Sequence, residues 1–356
     1  MTDNIKNNIL PLSERDLPIK HGFYFPAEWH KHTSTWLSYP HNENSWPGKI
    51  SAIFPYYNEF IKHLSKDEIV NINVLDEAMQ QRVQKQLQDN GTNMGNVRFH
   101  LFATNDAWIR DHGPAFVIND NSKAVVNWKY NAWGDKYPYD KDNLIPEKIA
   151  SYLNLMRFDS DIVMEGGSVD FNGKKDVLTT ESCLLNENRN PDYSQKEIEE
   201  YLHSYYNVDN IIWLKDGVEG DDTDGHVDDL TRFVNEDTIL TMVSEDKHSE
   251  DYKALNENLK ILKSCRLNNG KQPTIIEMLM PKEVIYEDQK LPASYANFYI
   301  ANNKVIVPLY KNTNDDKAMQ IFEQVFKDRQ VIGIDSTDIV WGLGSFHCLS
   351  QQEPDI

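Results

Sequence analysis

The sequence predicts an α/β fold made by repeating one small β-β-α-β unit around a common centre. Three observations lead there. Two short strands joined by a turn, then a helix, then a further buried strand, recur roughly every 50–70 residues. The strand segments are rich in Val, Ile, Thr and aromatic residues and are bounded by turn residues. With 356 residues, 40% hydrophobic and 26% charged, the chain has the apolar content for a large core. Length alone allows two domains. No low-complexity linker or break in composition divides the chain, so residues 1–356 are expected to form a single domain.

Taken in order, the first elements are a strand at 33–39, a helix over about 53–64 and a strand at 69–74. A fainter unit follows, with strands at 115–118 and 124–128, a helix near 147–153 and a strand at 161–164. The next is sharper. Strands 169–171 and 177–180 flank Asn172-Gly173, a hairpin signal, and a helix over about 195–206 opens with Ser194 and Glu197, the spacing of a capping box. A short strand at 210–214 completes it. The order returns as strands 226–233 and 238–243, helix 252–264 and strand 273–279. It returns again as strands 296–300 and 304–310 around Asn302-Asn303, helix 315–327 and strand 331–334. No unit can bury its own apolar face alone, so the units must pack on one another. Asp111, Glu165, His226, Asn297 and Cys348 each fall near the start of a unit's first strand. In a ring of units these side chains meet near the axis.

Charge and composition exclude several classes. The formal net charge of −20 opposes nucleic-acid binding, which needs basic patches. It favours a cationic ligand, although an acidic surface also serves solubility alone. No run approaches the roughly 18 apolar residues of a membrane helix. Residues 1–10 are polar and lack the apolar segment of a secretory signal. The three cysteines, Cys183, Cys265 and Cys348, are far apart and odd in number, so neither a disulfide framework nor a zinc pair is implied. A cytoplasmic protein with reduced thiols is expected.

Cys348 lies in Gly342-Leu343-Gly344-Ser345-Phe346-His347-Cys348. Glycines before it allow a tight turn and close substrate approach. A lone cysteine so placed is either a nucleophile or a core thiol. The densest polar cluster is residues 220–229, Gly-Asp-Asp-Thr-Asp-Gly-His-Val-Asp-Asp. Read as an EF-hand loop around Gly225, it puts Gly220 and Thr231 where charged oxygen ligands belong, and fails. His226 and Asp228, two apart on a strand, share a face and suit either a metal or a proton-transfer group beside a charge clamp; no zinc motif completes the former. A solvated acidic loop is the plain alternative. In residues 105–114, Asp111 on a strand shares a face with Ile109, opposite Arg110. A contact of Asp111 with Arg110 or His112 closing a turn is the alternative. Glu165-Gly166-Gly167-Ser168 adds a carboxylate beside a close-approach turn. His30-Lys31-His32 reads as structural, and Cys183 and Cys265 read as core thiols. Together, one thiol, one histidine and several aspartates suit attack on a planar cationic carbon. Paired carboxylates hold a guanidinium bidentately, the thiolate adds to its carbon, and the histidine protonates the leaving nitrogen and then activates water. No metal or cofactor is needed.

These motifs resemble the guanidine-modifying superfamily, and within it the agmatine deiminases. The resemblance rests on Phe25-Pro26-Ala27-Glu28-Trp29, Trp108-Ile109-Arg110-Asp111, Asn131-Ala132-Trp133-Gly134 and Glu165-Gly166-Gly167-Ser168. It continues through Asn188-Arg189-Asn190-Pro191, Gly225-His226-Val227-Asp228, Leu291-Pro292-Ala293-Ser294-Tyr295 and His347-Cys348 with Gln351-Gln352-Glu353-Pro354. It implies a five-bladed pseudosymmetric α/β propeller, the pentein fold, and hydrolysis of agmatine to N-carbamoylputrescine and ammonia. It implies Cys348 as nucleophile, His226 as acid and base, and Asp111 and Asp228 as guanidinium ligands. Asp222, Glu165, Asn297 and Trp108 join the substrate-binding set, and a homo-oligomer is implied. Leu343 departs from the family pattern, where a third glycine often stands; the turn is expected to survive. The distal ammonium of agmatine calls for carboxylates or aromatics, with Trp133, Tyr137, Tyr139, Asp140 and Asp142 as candidates. A peptidylarginine or free-arginine deiminase of the same mechanism is the enzyme alternative. An acidic binding module on the same scaffold is the other.

Overall fold

The computed structural model describes residues 10–356. The polar N-terminal stretch read above therefore lies, but for Leu10, outside the described residues. The repeated unit is present, with the expected order inside each copy. Ala115–Ile118 pairs antiparallel with Lys123–Lys129, the helix Ile145–Leu153 crosses over, and Met156–Val163 returns parallel. The same plan runs through Val169–Phe171, Asp176–Thr180, Gln195–Tyr206 and Asn210–Leu214. It runs again through Thr231–Asn235, Thr238–Val243, Glu250–Ser264 and Thr274–Leu279, and through Tyr299–Ile300, Lys304–Leu309, Asp315–Val325 and Gln330–Asp335.

The fifth sheet is assembled from both ends of the chain. Gln351–Pro354 lies antiparallel to His32–Ser38, with Trp36 opposite Gln351, and Ile69–Asn73 and Val97–His100 extend the sheet in parallel. The strand after Cys348 thus supplies the first strand of a unit whose remainder is N-terminal. Buried Glu353 fixes this closure, accepting from Ser34 Oγ at 2.6 Å and Trp36 Nε1 at 3.0 Å and pairing with Lys123 at 2.7 Å.

The helices pack their apolar stripes on the sheets. Gln195–Tyr206 buries Ile198, Tyr201, Leu202 and Tyr205, the spacing of one helical face. Its capping box is formed, Ser194 accepting from the Glu197 backbone and Glu197 accepting from the Ser194 backbone. Several expected boundaries move. The strand expected at 161–164 runs over Met156–Val163, because Phe158, Ser160 and Ile162 point inward while Arg157 and Asp159 face out and mask the alternation. The hairpin at Asn172 uses a longer turn than an Asn-Gly pair. Asn172 Oδ1 accepts from the Lys174 and Asp176 amides at 2.8 and 3.1 Å, and Lys175 joins Gly173 at positive φ. The expected strands at 226–233 and 296–300 shorten to Thr231–Asn235 and Tyr299–Ile300. A second hairpin, Val284–Tyr286 with Gln289–Leu291, was not expected. Lys290 ties it to Glu219 and Asp251, each at 2.7 Å.

The centre, where the first strands meet, is ionic. Arg232, fully buried, bonds Asp170 at 2.6 Å and Glu28 at 3.0 Å and also donates to the carbonyls of Ala296 and Phe298. Arg110 reaches Glu28 at 3.4 Å and Gln352 at 2.7 Å. Buried charges are tolerated only when so paired, and this pairing locks the units in one mutual arrangement. His30 and His32 are structural, bonding the Asp355 and Glu28 carbonyls at 3.0 and 2.7 Å. No helix among the described residues is long and apolar enough to cross a membrane.

Candidate active site

The turns that lead into the five first strands carry the polar side chains to one place. Asn297 Nδ2 lies 2.9 Å from Cys348 Sγ, and Asp228 Oδ2 lies 3.6 Å from it. His226 Nδ1 is 3.7 Å from Asp111 and 4.0 Å from Asp228, and its Nε2 is 3.9 Å from Glu165. One residue or more from every unit is therefore present. None of them is on a strand, which corrects the local reading of three segments, those of Asp111, His226 and Asn297. Residues Ile109–His112 form a helical turn, with the Asp111 amide on the Trp108 carbonyl at 3.0 Å. His226 precedes the 3-10 turn Val227–Asp229. Neither contact expected of Asp111 forms: Arg110 turns to Glu28 and Gln352, and both ring nitrogens of His112 lack hydrogen-bond partners.

Asp111 is held from two sides. The Gly167 amide donates to Oδ1 at 2.9 Å and Trp133 Nε1 donates to Oδ2 at 3.0 Å. Gly167 has to be glycine here: a Cβ would stand 2.6 Å from His226 Nδ1 and 2.8 Å from Asp111 Oδ1. Trp133 comes from a left-handed run, Ala132 to Asp135, in which four successive residues have positive φ. Each such non-glycine residue costs roughly 1–2 kcal/mol. The run is braced by Asn131, whose Oδ1 accepts from Gly134 at 3.0 Å. Leu343 is also left-handed, at φ 70°, so the turn survives with leucine in a conformation glycine prefers. At Gly344 a Cβ would meet the Trp108 ring at 2.6 Å, and Trp108 in turn stacks on Trp46 at 5.1 Å.

A cavity of about 280 Å³ opens onto this cluster. Cys348, Asp111, Trp108 and Trp133 line it, with Asp106, Tyr137 and Asp222 farther out. Trp341, Leu343 and Gln289 of the unexpected hairpin complete the wall. Asp222 accepts from Tyr137 Oη at 2.7 Å, and Asp106 accepts from Asn42 and Ser45. Among the expected residues, Asp228 and His226 lie fully buried behind this floor, leaving Asp228 Oδ1 and both His226 nitrogens without hydrogen-bond partners. Glu165 backs His226 rather than lining the cavity, and Asn297 touches the sulfur. Of the distal candidates, Trp133 and Tyr137 line the cavity. Tyr139, Asp140 and Asp142 do not: Tyr139 bonds Asp135, and Asp140 and Asp142 hold Asn105. Asp106 takes their place.

Two residues of this neighbourhood escaped the sequence reading. Cys183, read as an ordinary core thiol, sits 4.0 Å from Glu165 beside His226. Arg189, fully buried, bonds Glu165 at 2.6 Å and Asp224 at 2.7 Å, joining the residue behind His226 to the loop carrying Asp222. Its signal was the Asn188-Arg189-Asn190-Pro191 motif; Cys183 had none. Metal-binding chemistry exists in Glu165, Cys183 and His226, and in Asp228, Asp229 and Cys348. Arg189 already occupies Glu165, and Asn297 donates to both Asp229 and Cys348.

Burial dominates the electrostatics. It pushes the Cys348 thiol well above its usual range, reinforced by Asp228, Asp229 and Asp111 and opposed by Asn297. For His226, burial opposes the charge, but Asp111 and the neighbouring Cys183 and Glu165 outweigh it and raise the imidazole well above its ordinary value. Burial raises Asp111 to about 6, with His226 pulling down and Asp228 and Glu165 pushing up. Burial also pushes Asp228 up, but His347 and His226 overcome it and leave the carboxyl below its usual range. Arg189 likewise overcomes burial at Glu165.

A ring of β-β-α-β units with a thiol, a charged imidazole and carboxylates at the axis defines a class: amidine-acting hydrolases that work through cysteine. The chain belongs to the Porphyromonas-type peptidyl-arginine deiminase family, whose model matches residues 24–354. It is similar to the agmatine deiminase of Ectopseudomonas mendocina, 31% identical over 95% of this chain and 97% of that one. The solved structure of the Enterococcus faecalis agmatine deiminase superposes with a TM-score of 0.90 at 31% identity, covering 96% of this chain and 98% of that one. A dimethylarginine dimethylaminohydrolase structure, with a TM-score of 0.53 at 11% identity over 90% of this chain and 99% of that one, shares the pentein propeller fold alone.

Proposed function

We propose that this chain hydrolyses agmatine to N-carbamoylputrescine and ammonia through a covalent amidino-cysteine. The observation that carries the reading is the cavity itself. The thiol of Cys348 lies at its floor, and Asp106, Asp111, Asp222, Trp108, Trp133 and Tyr137 are among its walls, without a lysine or arginine among the described lining residues. A dication with no carboxylate suits such walls. The α-carboxylate of arginine would be desolvated among carboxylates, where the nearby Lys136 is already paired with Asp222 and Asp224, at a cost of several kcal/mol. With its first and last described strands, His32–Ser38 and Gln351–Pro354, paired in one sheet, the chain acts as a single catalytic unit.

The chemistry follows from the charges. Asp111 and Asp228 hold the guanidinium by charge-assisted hydrogen bonds and keep it electrophilic. Its positive charge offsets the carboxylates that hold the thiol protonated, so Cys348 releases its proton to solvent through the cavity when substrate is in place. The thiolate adds to the guanidino carbon. His226, already an imidazolium, gives its proton to the departing nitrogen, and the C–N bond breaks to release ammonia. Neutral His226 then takes a proton from water as its oxygen adds to the amidino carbon, and the C–S bond breaks with the hydroxyl proton passing to sulfur, returning the Cys348 thiol and the ureido product.

The test is ammonia release from agmatine, free arginine and an arginine peptide. Agmatine is expected to exceed both by about 100-fold or more in kcat/KM, the penalty of one unpaired carboxylate. Equal turnover of arginine would overturn the specificity, and citrulline in the peptide would move the chain to the peptidylarginine reading. Cys348→Ser is expected to abolish turnover while agmatine binding persists.

A further inference from the structure

His347 precedes the cysteine in sequence and has no place in the mechanism above, yet it is buried and both ring nitrogens are engaged. Nδ1 lies 2.6 Å from Asp228 Oδ2 and Nε2 lies 2.7 Å from Glu28 Oε2. Each short contact needs a hydrogen between nitrogen and oxygen, and a neutral imidazole carries one N–H. Glu28 cannot readily supply the second. Its carboxylate already accepts from Arg232 at 3.0 Å, Arg110 at 3.4 Å and the Ile300 amide at 2.7 Å, a set of donors that suits the ionised form. Asp228 meets His226 at 4.0 Å and the thiol at 3.6 Å, with Asp229 beside it in the chain and Asp111 across the site. Among the described histidines, His347 alone has both nitrogens within 2.7 Å of carboxylate oxygens.

We propose that His347 is a positioning residue: a buried imidazolium strung between Glu28 and Asp228 that keeps Asp228 ionised and aims its free oxygen at the substrate guanidinium. The geometry divides the work of the carboxylate. Oδ2 is taken by His347 and, at 3.4 Å, by Asn297, whereas Oδ1 is buried without a partner. An unpartnered carboxylate oxygen in a buried site is costly unless a ligand donor completes it. Glu28, itself anchored by Arg232 and Arg110 in the central ionic hub, fixes the far end of the ring. The hub that locks the units together thereby also sets the charge and direction of a substrate ligand. His347 acts through Asp228 and touches neither the sulfur nor the cavity.

This rests on the deiminase reading, and wild-type turnover of agmatine tests that reading first. Given turnover, the pH dependence of kcat/KM is compared with that of His347→Gln, which keeps one donor and no charge. Removing the cation makes Asp228 harder to ionise. With burial no longer opposed by that cation, Asp228 should ionise above the bend that Asp111 sets, so the acid limb moves upward by about one unit or more, and kcat/KM at neutral pH should fall about 100-fold. A structural role alone would lower the melting temperature without moving the limb. A folded His347→Gln protein with an unshifted acid limb overturns the proposal. A second measurement needs no variant. In histidine-15N-labelled wild type at neutral pH, one ring should show two downfield N–H protons, both in short bonds to carboxylates. Finding no such ring overturns the proposal, even if the variant does not fold.

Discussion

Asp111 carries the clearest pH signature of any single residue in the site. Its folded value of about 6 lies above the roughly 3.9 of an unfolded chain. Between those values the folded protein binds this proton more tightly, so stability falls as pH rises through that window and Asp111 becomes charged. A substrate cation offsets that cost, which is one way a site tunes itself to its ligand. Below about pH 6 the carboxyl is protonated and no longer accepts from a guanidinium. The acid limb of kcat/KM for agmatine should therefore bend near pH 6, and Asp111→Asn should lose about 1,000-fold or more with the bend removed, as expected for a paired charge in a buried site. A limb that stays flat down to pH 4.5 in wild type would assign the charge clamp elsewhere. Cys348 and His226 answer to the same carboxylates in opposite senses. Negative neighbours raise both, leaving a charged imidazole and a thiol that stays neutral until a cation enters.

The elements that matter most to this site are its turns. Gly166–Ser168 is the tightest, with the Gly167 main chain pressed against His226, Asp111 and Asp228 together. Gly167→Ala places a methyl where three charged groups already meet. It should lower kcat/KM by about 100-fold or more through displacement of His226 and Asp111, because misplacing reacting groups by about an ångström costs that much. Helical content by circular dichroism should stay unchanged, since the turn carries no sheet pairing; turnover within threefold of wild type would mean the cluster adjusts at little cost. The need for glycine was legible in Glu165-Gly166-Gly167-Ser168, and the helix Gln195–Tyr206 was legible from its capping box and apolar face. Local signals of this kind act within a few residues. What they missed is set by distant parts of the chain. Asp111 and His226 looked like strand residues because apolar and polar positions alternate around them, but the Asp111 amide is taken up by the Trp108 carbonyl in a helical turn. Cys183 stands beside Glu165 because the antiparallel pairing of Val169–Phe171 with Asp176–Thr180 brings the chain back to the turn it left. The strand Gln351–Pro354 has its partner more than three hundred residues earlier, at His32–Ser38, and no local pattern announces such a closure.

At the scale of the whole molecule, the acidic composition that predicts a cationic ligand acquires a direction. Asp and Glu number 56 against 36 Lys and Arg, and the cavity wall repeats that sign through Asp106 and Asp111, and through Asp222, which Lys136 partly offsets. A low-dielectric cleft lined with one sign of charge concentrates the opposite sign of ligand. Agmatine, with a guanidinium and an ammonium, responds to that field twice over. Its range depends on salt, since the screening length falls from about 30 Å at 0.01 M to about 8 Å at 0.15 M. Raising ionic strength across that interval should lower kcat/KM for agmatine several-fold, on the order of two to ten, while kcat stays constant because the bound complex is shielded from solvent ions. Salts of different anions should give the same slope, which separates screening from specific inhibition. If kcat/KM proves independent of salt, the net charge serves solubility and the attraction resides only in the carboxylates of the cavity. If kcat falls in parallel, salt acts on the ionic hub of Glu28, Asp170, Arg110 and Arg232 rather than on encounter, and His347 and Asp228 would be the residues through which that disturbance reaches the thiol.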